Sequence, residues 1–299
     1  MMLTRLKTTR PAIHTGLIIL CPTLRNIPVP MQLKDSLVGI VPDELHRLLS
    51  NRFEVIGDIA IISLRPELDN YKQIIAETIL KNRRNIYTVL NKITKLRGNE
   101  RTARYELLAG HSTITLHHEF GFTYRLDVCR SFFNTKMAYE RMRVIDQVEP
   151  GESVLIPFAG VGPFAIPAAA KGAKVLAIEQ NPEACRWLKE NVRLNKVKKN
   201  ITIIEGDAFD TSLIPHKKYD RAIIPTPYSM DSILDVLAPH IAYDGMIHFY
   251  TFKKRGQIPD LVEEYRKKGF DLTYYDACGS VAPGVSRWVF DMVSPGCNA

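Results

Sequence analysis

Between Val154 and Asn181 the chain passes from an apolar run, Val154-Leu155-Ile156, through Phe158-Ala159-Gly160-Val161-Gly162 into a small-residue segment. A second apolar run, Val175-Leu176-Ala177-Ile178, then ends on Glu179, followed by Gln180, Asn181 and Pro182. Strand, glycine turn, Ala-rich helix and strand make a βαβ unit, and such a unit holds a nucleotide-type ligand at its strand ends. The glycines remove Cβ atoms where the backbone must approach the ligand. Glu179, about 20 residues further on, stands where an acid accepts hydrogen bonds from ribose hydroxyls. The third glycine of a dinucleotide fingerprint is missing.

The elements around this unit repeat the alternation. Pro182 opens a helix that runs to Asn195. Ile201–Glu205 reads as a strand ending in Gly206-Asp207-Ala208, and Tyr219–Ile224 as another, followed by Pro225-Thr226-Pro227-Tyr228. A helix over Met230–Leu237, a strand over Met246–Phe252, a helix over Leu261–Lys268 and a strand over Trp288–Met292 complete residues 137–299. The pattern predicts an α/β, Rossmann-like, mostly parallel seven-stranded sheet with helices on both faces. A smaller α+β domain precedes it over residues 45–136. There Phe53–Leu64 reads as two strands joined at Gly57-Asp58, Asp69–Lys81 as an amphipathic helix and Ile86–Leu90 as a strand. His111–Leu116 and Phe122–Val128 read as a hairpin. Residues 1–44 carry Pro11, Pro22, Pro28 and Pro30 and read as a short appendage.

The chain has 299 residues and a formal charge of +8, which favours a polyanionic partner. Lys81, Arg83, Arg84, Lys92, Lys95, Arg97, Arg101 and Arg104 fall in one stretch whose single acid is Glu100. Arg83, Arg84, Lys92, Lys95 and Arg97 are therefore candidates for phosphate contact, with a solvated surface as the alternative. The five cysteines contain no C-x-x-C pair, so no metal site is expected and the thiols read as reduced. Leu17–Cys21 is too short to span a membrane. A cytoplasmic, monomeric protein is expected.

At the C-terminal strand edge the Phe158–Gly162 loop, Glu179, Asp207 and Pro225–Tyr228 should meet, with Asp207 placed to accept from an adenine amino group. The loop resembles the S-adenosylmethionine loop of class I methyltransferases. Arg101 with Leu108-Ala109-Gly110 resembles the Trm5/TYW2 family of tRNA-modifying enzymes, and so do the segment Asp127–Arg141, the loop and Ile247-His248-Phe249-Tyr250-Thr251. The resemblance covers about residues 50–293. It implies a class I methyltransferase domain, S-adenosylmethionine as cofactor and tRNA as partner. It further implies Glu140 as the base for guanine N1 and Arg101 as the contact to the target guanine. Implied cofactor contacts are Phe133, Lys136, Arg141, Phe158, Ala159, Gly160, Gly162, Glu179, Gln180, Asn181, Asp207, Ala208 and Pro225.

The sequence departs from the family pattern at Ile156-Pro157, where an acid is usual, and at Asn134-Thr135-Lys136 in place of Ser-Pro-Arg. Pro225-Thr226-Pro227 stands in place of Asn-Leu-Pro. The reading that follows is methylation of N1 of guanosine at position 37. Transfer of the 3-amino-3-carboxypropyl group to a wybutosine precursor is the alternative, and a non-catalytic RNA-binding relative comes third.

Overall fold

Short helices α1 (Leu33–Ser36) and α2 (Asp43–His46) open the described part of the chain. The structure is a computed structural model that describes residues 32–93 and 103–295. Lys95, Arg97, Arg101 and the N-terminal 31 residues lie outside the described residues. β1 (Glu54–Ile56) and β2 (Ile59–Ile62) turn back through Gly57-Asp58, as the sequence predicts. A Cβ on Gly57 would stand 2.4 Å from the Leu116 carbonyl oxygen, so only glycine lets this turn meet the chain beyond it.

The helix expected from Asp69 starts later. Pro66–Tyr71 is a 3-10 turn, and α3 proper is Lys72–Asn82. Ile75 and Ile79 of α3 are buried in one cluster with Val89 of β3 (Thr88–Lys92) and Leu108 of β4 (Tyr105–Ala109). The four strands lie in the order β1-β2-β3-β4, with only the central pair parallel.

β5 (Ile114–Glu119) and β6 (Phe122–Asp127) form the expected hairpin. Phe120 and Gly121 take φ of 48° and 83°, the left-handed pair that matches the twist of its strands. α4 (Ala138–Asp146) leads to β7 (Ser153–Pro157), α5 (Ala165–Ala170), β8 (Lys174–Glu179), α6 (Pro182–Leu194), β9 (Ile201–Glu205) and β10 (Tyr219–Ile224). α7 (Ile233–Leu237), β11 (Ile241–Lys254), α8 (Ile258–Lys267), β12 (Asp271–Ala282) and β13 (Val285–Val293) complete the chain.

The seven strands of the large sheet lie in the order β12-β13-β11-β10-β7-β8-β9. All neighbours from β11 to β9 are parallel, while β13 is antiparallel to β11 and to β12. After β7 the chain winds one way to β8 and β9, then crosses back to β10 and β11. The switch point, where a ligand crevice opens, therefore lies at the C-terminal ends of β7 and β10.

The hairpin is tied to the large domain by side chains. Asn191 of α6 is fully buried; its amide accepts from Arg125 N–H at 2.7 Å and donates to the Arg125 carbonyl at 3.0 Å. Asn195, one turn on, does the same for Thr123 at 2.9 and 2.7 Å. Two asparagines thus stand in for a neighbouring strand along β6, satisfying backbone groups that burial would otherwise orphan. Asn191 also donates to the Val161 carbonyl at 3.1 Å, so the same residue holds the glycine loop. Among the described residues no helix is long and apolar enough to cross a membrane.

Candidate active site

The glycine loop leaves β7 in a tight left-handed path, with φ of 53° at Phe158, 56° at Gly160 and 96° at Gly162. Its two glycines do different work. A Cβ on Gly162 would stand 2.6 Å from Leu188 Cδ1 of α6, so this glycine lets the loop pack on the helix. A Cβ on Gly160 would meet only the Phe132 carbonyl oxygen, at 4.0 Å; beside it lies open space. That space belongs to a cleft, and Phe158, Ala159, Gly160, Glu179, Gln180 and Asn181 form part of its wall.

Glu179 closes the turn. Its Oε2 accepts from Gly160 N–H at 2.7 Å and its Oε1 from Asn181 N–H at 2.8 Å. An ionised carboxylate only accepts hydrogen bonds, which is the chemistry that ligand hydroxyls need. Asn181 caps α6, accepting from Glu183 N–H at 3.0 Å, while its amide donates to the Arg130 carbonyl at 2.9 Å. Asp207, just past β9, accepts from Phe209 N–H at 3.0 Å through Oδ1. The rings of Phe158 and Phe209 stand 6.5 Å apart on the same wall. Pro225 and Pro227, after β10, line the cleft beside them.

The far end of the cleft is walled by Phe133, Met137, Arg141, Phe164, Tyr250 and Arg287. Arg141 is buried. Its Nε donates to Glu119 Oε1 at 2.7 Å, its Nη2 to Glu119 Oε2, and its Nη1 to the Asn134 carbonyl at 3.0 Å. Burial alone would raise the Glu119 carboxyl, but hydrogen bonds from His117 and Arg141 outweigh it and hold the group below the usual carboxylate range. The guanidinium of Arg141 also lies over the Phe133 ring, 5.1 Å from its centre.

Three of the residues implied as cofactor contacts are not on this wall. Lys136 is exposed; it sits in the 3-10 turn capped by Asn134, and its charge acts on Glu54 of the smaller sheet. Gly162 faces α6, and Ala208 is buried behind Asp207. Glu140 is set back from the wall as well. Its carboxylate takes both forks of the Arg143 guanidinium, each at 2.9 Å, and the hydroxyl of Tyr250 at 2.9 Å. Tyr250, which does line the cleft, connects Glu140 to it. Burial, and then the Glu140 charge, raises the Tyr250 hydroxyl far above its ordinary value, so it stays a donor.

Behind Glu140 runs a buried network that the sequence did not reveal. Arg143 donates to Asp291 Oδ2 at 2.6 Å and to Oδ1 at 3.1 Å. Asp291 meets His248 Nδ1 at 2.7 Å, and His248 Nε2 meets Arg221 Nη1 at 2.7 Å. Arginine can only donate, so His248 Nε2 accepts and its proton sits on Nδ1, directed at Asp291. Arg221 is paired in turn with both oxygens of Glu152, at 2.8 and 2.9 Å.

The described residues of the basic stretch lie in more than one place. Arg83 and Arg84 are exposed where α3 gives way to the turn before β3, whereas Lys92 ends that strand. β3 alone separates the two places by about 13 Å at ~3.3 Å per residue. Among the described residues no ion pair engages any of the three.

A family model described as the TRM5/TYW2 methyltransferase domain matches residues 115–269, and one described as the TYW2 N-terminal domain matches residues 33–113. The chain is 39% identical over 217 residues to tRNA (guanine(37)-N(1))-methyltransferase Trm5b of Pyrococcus abyssi, covering 72% of this chain and 64% of that protein. It thus spans just under two thirds of that relative's length. To tRNA(Phe) (4-demethylwyosine(37)-C(7)) aminocarboxypropyltransferase of Pyrococcus horikoshii it is 38% identical, over 62% of this chain and 67% of that one. The crystal structure of P. horikoshii TYW2 in complex with MeSAdo superposes with a TM-score of 0.74 at 30% identity, covering 88% of this chain and 98% of that chain. The glycine loop, the acids at successive strand ends and the sheet order agree with these matches, and the chain belongs to the TRM5/TYW2 methyltransferase family.

Proposed function

We propose that this protein is an S-adenosylmethionine-dependent tRNA methyltransferase that modifies N1 of guanosine at position 37. The observation that carries the reading is the open space beside Gly160, flanked by the Glu179 carboxylate and by Asp207 at the next strand end. Oxygen acceptors there suit ribose hydroxyls and an adenine amino group, and the Phe158 and Phe209 rings give the base an apolar wall. Phe133 and Pro225 on the same wall fit the remaining contacts. S-adenosylmethionine supplies an electrophilic methyl group on its sulfonium.

The chain's own residues bind, orient and move the proton. Guanine N1 carries a hydrogen that must leave as N1 is alkylated, so a base is needed within hydrogen-bond reach. Glu140 is proposed for it: Arg143 fixes both carboxylate oxygens, and Tyr250 links it to the cleft wall. Arg101 remains the proposed contact to the target guanine, holding charge at O6. Residues 45–136 are proposed as the RNA-facing domain and 137–299 as the cofactor domain of a cytoplasmic monomer.

Calorimetry tests the cofactor half. The protein is expected to bind one equivalent of S-adenosylmethionine, and Asp207→Ala to weaken it by about 1–3 kcal/mol, the range for an unmade polar contact. Absence of binding at millimolar cofactor would contradict the reading. For the RNA half, reversing Arg83 and Arg84 to Glu is expected to weaken tRNA binding and flatten its salt dependence while cofactor affinity stays unchanged. A variant that binds tRNA as tightly as wild type at both low and physiological salt would make these arginines a solvated surface only.

A second reading has its own support. The N-terminal match at residues 33–113 is to the TYW2 branch, which favours transfer of the aminocarboxypropyl group of the same cofactor.

A further inference from the structure

Arg287 belongs to none of the motifs, yet its charge is placed unusually. It stands near the start of β13, opposite Phe252 of β11, on the ligand edge of the sheet. It is 8% exposed, and it forms part of the cleft wall. Its guanidinium lies 5.0 Å from the centre of the Phe252 ring. Among the described residues no hydrogen bond or ion pair engages that guanidinium. Burial lowers its pKa from the ordinary arginine value; Cys278 and Tyr250 oppose that only in part, and the Arg141 charge adds to it.

A buried cation without an anion is costly, and chains normally avoid it. Arg141 shows the usual solution, since Glu119 neutralises it. Nothing in the described chain does so for Arg287. The two acids on the wall, Glu179 and Asp207, are on the other side of the switch point, at β8 and past β9. Four strand spacings separate β13 from β8, about 19 Å at ~4.8 Å each before side-chain reach is subtracted. The cleft therefore has an acceptor-rich end for hydroxyl and amino groups and a cationic end. It is shaped for an extended ligand with a nucleoside at one end and an anion at the other.

We propose that Arg287 receives the carboxylate of the cofactor's amino-acid tail. The inference rests on the reading of the cleft as an adenosyl site. Arginine's planar fork suits a carboxylate, and the Phe252 ring holds the guanidinium plane. Because arginine has no acceptor, it makes no contact with the tail's ammonium, so a change at this position reports on the carboxylate alone.

The test compares two ligands by calorimetry. S-adenosylhomocysteine carries the amino-acid tail, and 5′-methylthioadenosine shares its adenosine and sulfur but lacks the tail. Wild-type protein is expected to prefer the first. Arg287→Met is expected to lose roughly ten- to hundredfold in S-adenosylhomocysteine affinity, the range for a charged hydrogen bond, with 5′-methylthioadenosine affinity unchanged. The unchanged ligand also shows that the site is folded. If Arg287→Met does not fold, Arg287→Gln, which keeps a polar head without charge, is expected to lose the same preference. An intact preference in either folded variant would overturn the proposal, and intact preference with slowed tRNA turnover would assign the guanidinium to an acceptor oxygen instead. Failure of wild-type protein to bind either ligand would overturn the adenosyl reading itself and this proposal with it.

Discussion

Glu140→Gln is expected to cut the single-turnover rate by about 10²–10⁴-fold, with cofactor and tRNA affinity nearly unchanged. The amide keeps the shape of the carboxylate but does not take the N1 proton. Geometry around Glu140 makes the outcome informative. Its carboxylate is 12% exposed, forked to Arg143 and bonded to the hydroxyl of Tyr250. Those contacts fix its direction, which a base needs, and they also describe a purely structural ion pair. The two roles part in the measurements. A base loses rate with saturation behaviour intact, whereas a structural anchor loses melting temperature and cofactor affinity together. A wild-type-like rate at saturating cofactor and tRNA would reduce Glu140 to the partner of Arg143, and the aminocarboxypropyl reading would move ahead.

Asp291→Asn is expected to destabilise the fold by about 3–5 kcal/mol, the cost of removing one partner from a buried charge network. Asp291 is nearly inaccessible and receives hydrogen bonds from His248 and Arg143. An amide would turn one oxygen into a donor facing donors. Burial opposes ionisation of Asp291, but the His248 and Arg143 hydrogen bonds outweigh it and bring the carboxyl down to about 2 from 3.8. A depressed acid stabilises the folded state above its unfolded pKa, so this contribution is full above about pH 4 and is lost as pH falls towards 2. His248 adds an earlier step of the same sign. Burial, the largest cause, lowers its pKa from 6.5, and Arg221 requires its neutral form. Stability from His248 is therefore present above pH 6.5 and falls as pH drops below it. Urea midpoints between pH 7 and 3 check both. Wild-type stability should decline in acid, and Asp291→Asn should be weaker at neutral pH and lose less between pH 4 and 3. A variant as stable as wild type at pH 7 would show that the network contributes nothing.

The elements legible in the sequence are those with strong local patterns. β7, β8, β9 and β10 are short apolar runs punctuated by Gly, Asn or Pro; β9 and β10 match Ile201–Glu205 and Tyr219–Ile224, and β7 and β8 fall within about a residue of the expected limits. β12 escapes because it is an edge strand with almost every residue exposed, so neither apolar alternation nor a buried run marks it. β4 is marked by an arginine-linked Leu-Ala-Gly motif but carries little periodicity of its own. β11 extends through Tyr243-Asp244-Gly245, which reads as a turn; Asp244 is left-handed at φ 58°, and pairing to β10 shifts register around it.

The candidate site divides the same way. Phe158–Gly160, Glu179 and Asp207 lie at strand ends and are readable from spacing. The Arg143–Asp291 pair joins residues 148 positions apart, and Arg287 reaches the cleft only because β13 returns antiparallel beside β11. Such contacts belong to topology, and no local spacing encodes them. Glu140 and Arg143 are three residues apart on one helix, a spacing local to the sequence, whereas the links of Glu140 to Tyr250 and, through Arg143, to Asp291 join distant parts of the chain.

Two tRNAs, one unmodified at position 37 and one carrying the wybutosine precursor there, incubated in parallel with cofactor labelled separately in its methyl group and in its carboxyl carbon, then digested and resolved by nucleoside mass spectrometry, separate the readings. Methyl label alone is expected, recovered as N1-methylguanosine from position 37 of the unmodified tRNA. Carboxyl label in either tRNA, or no label at all from a preparation that binds the cofactor, would contradict the methyl-transfer reading.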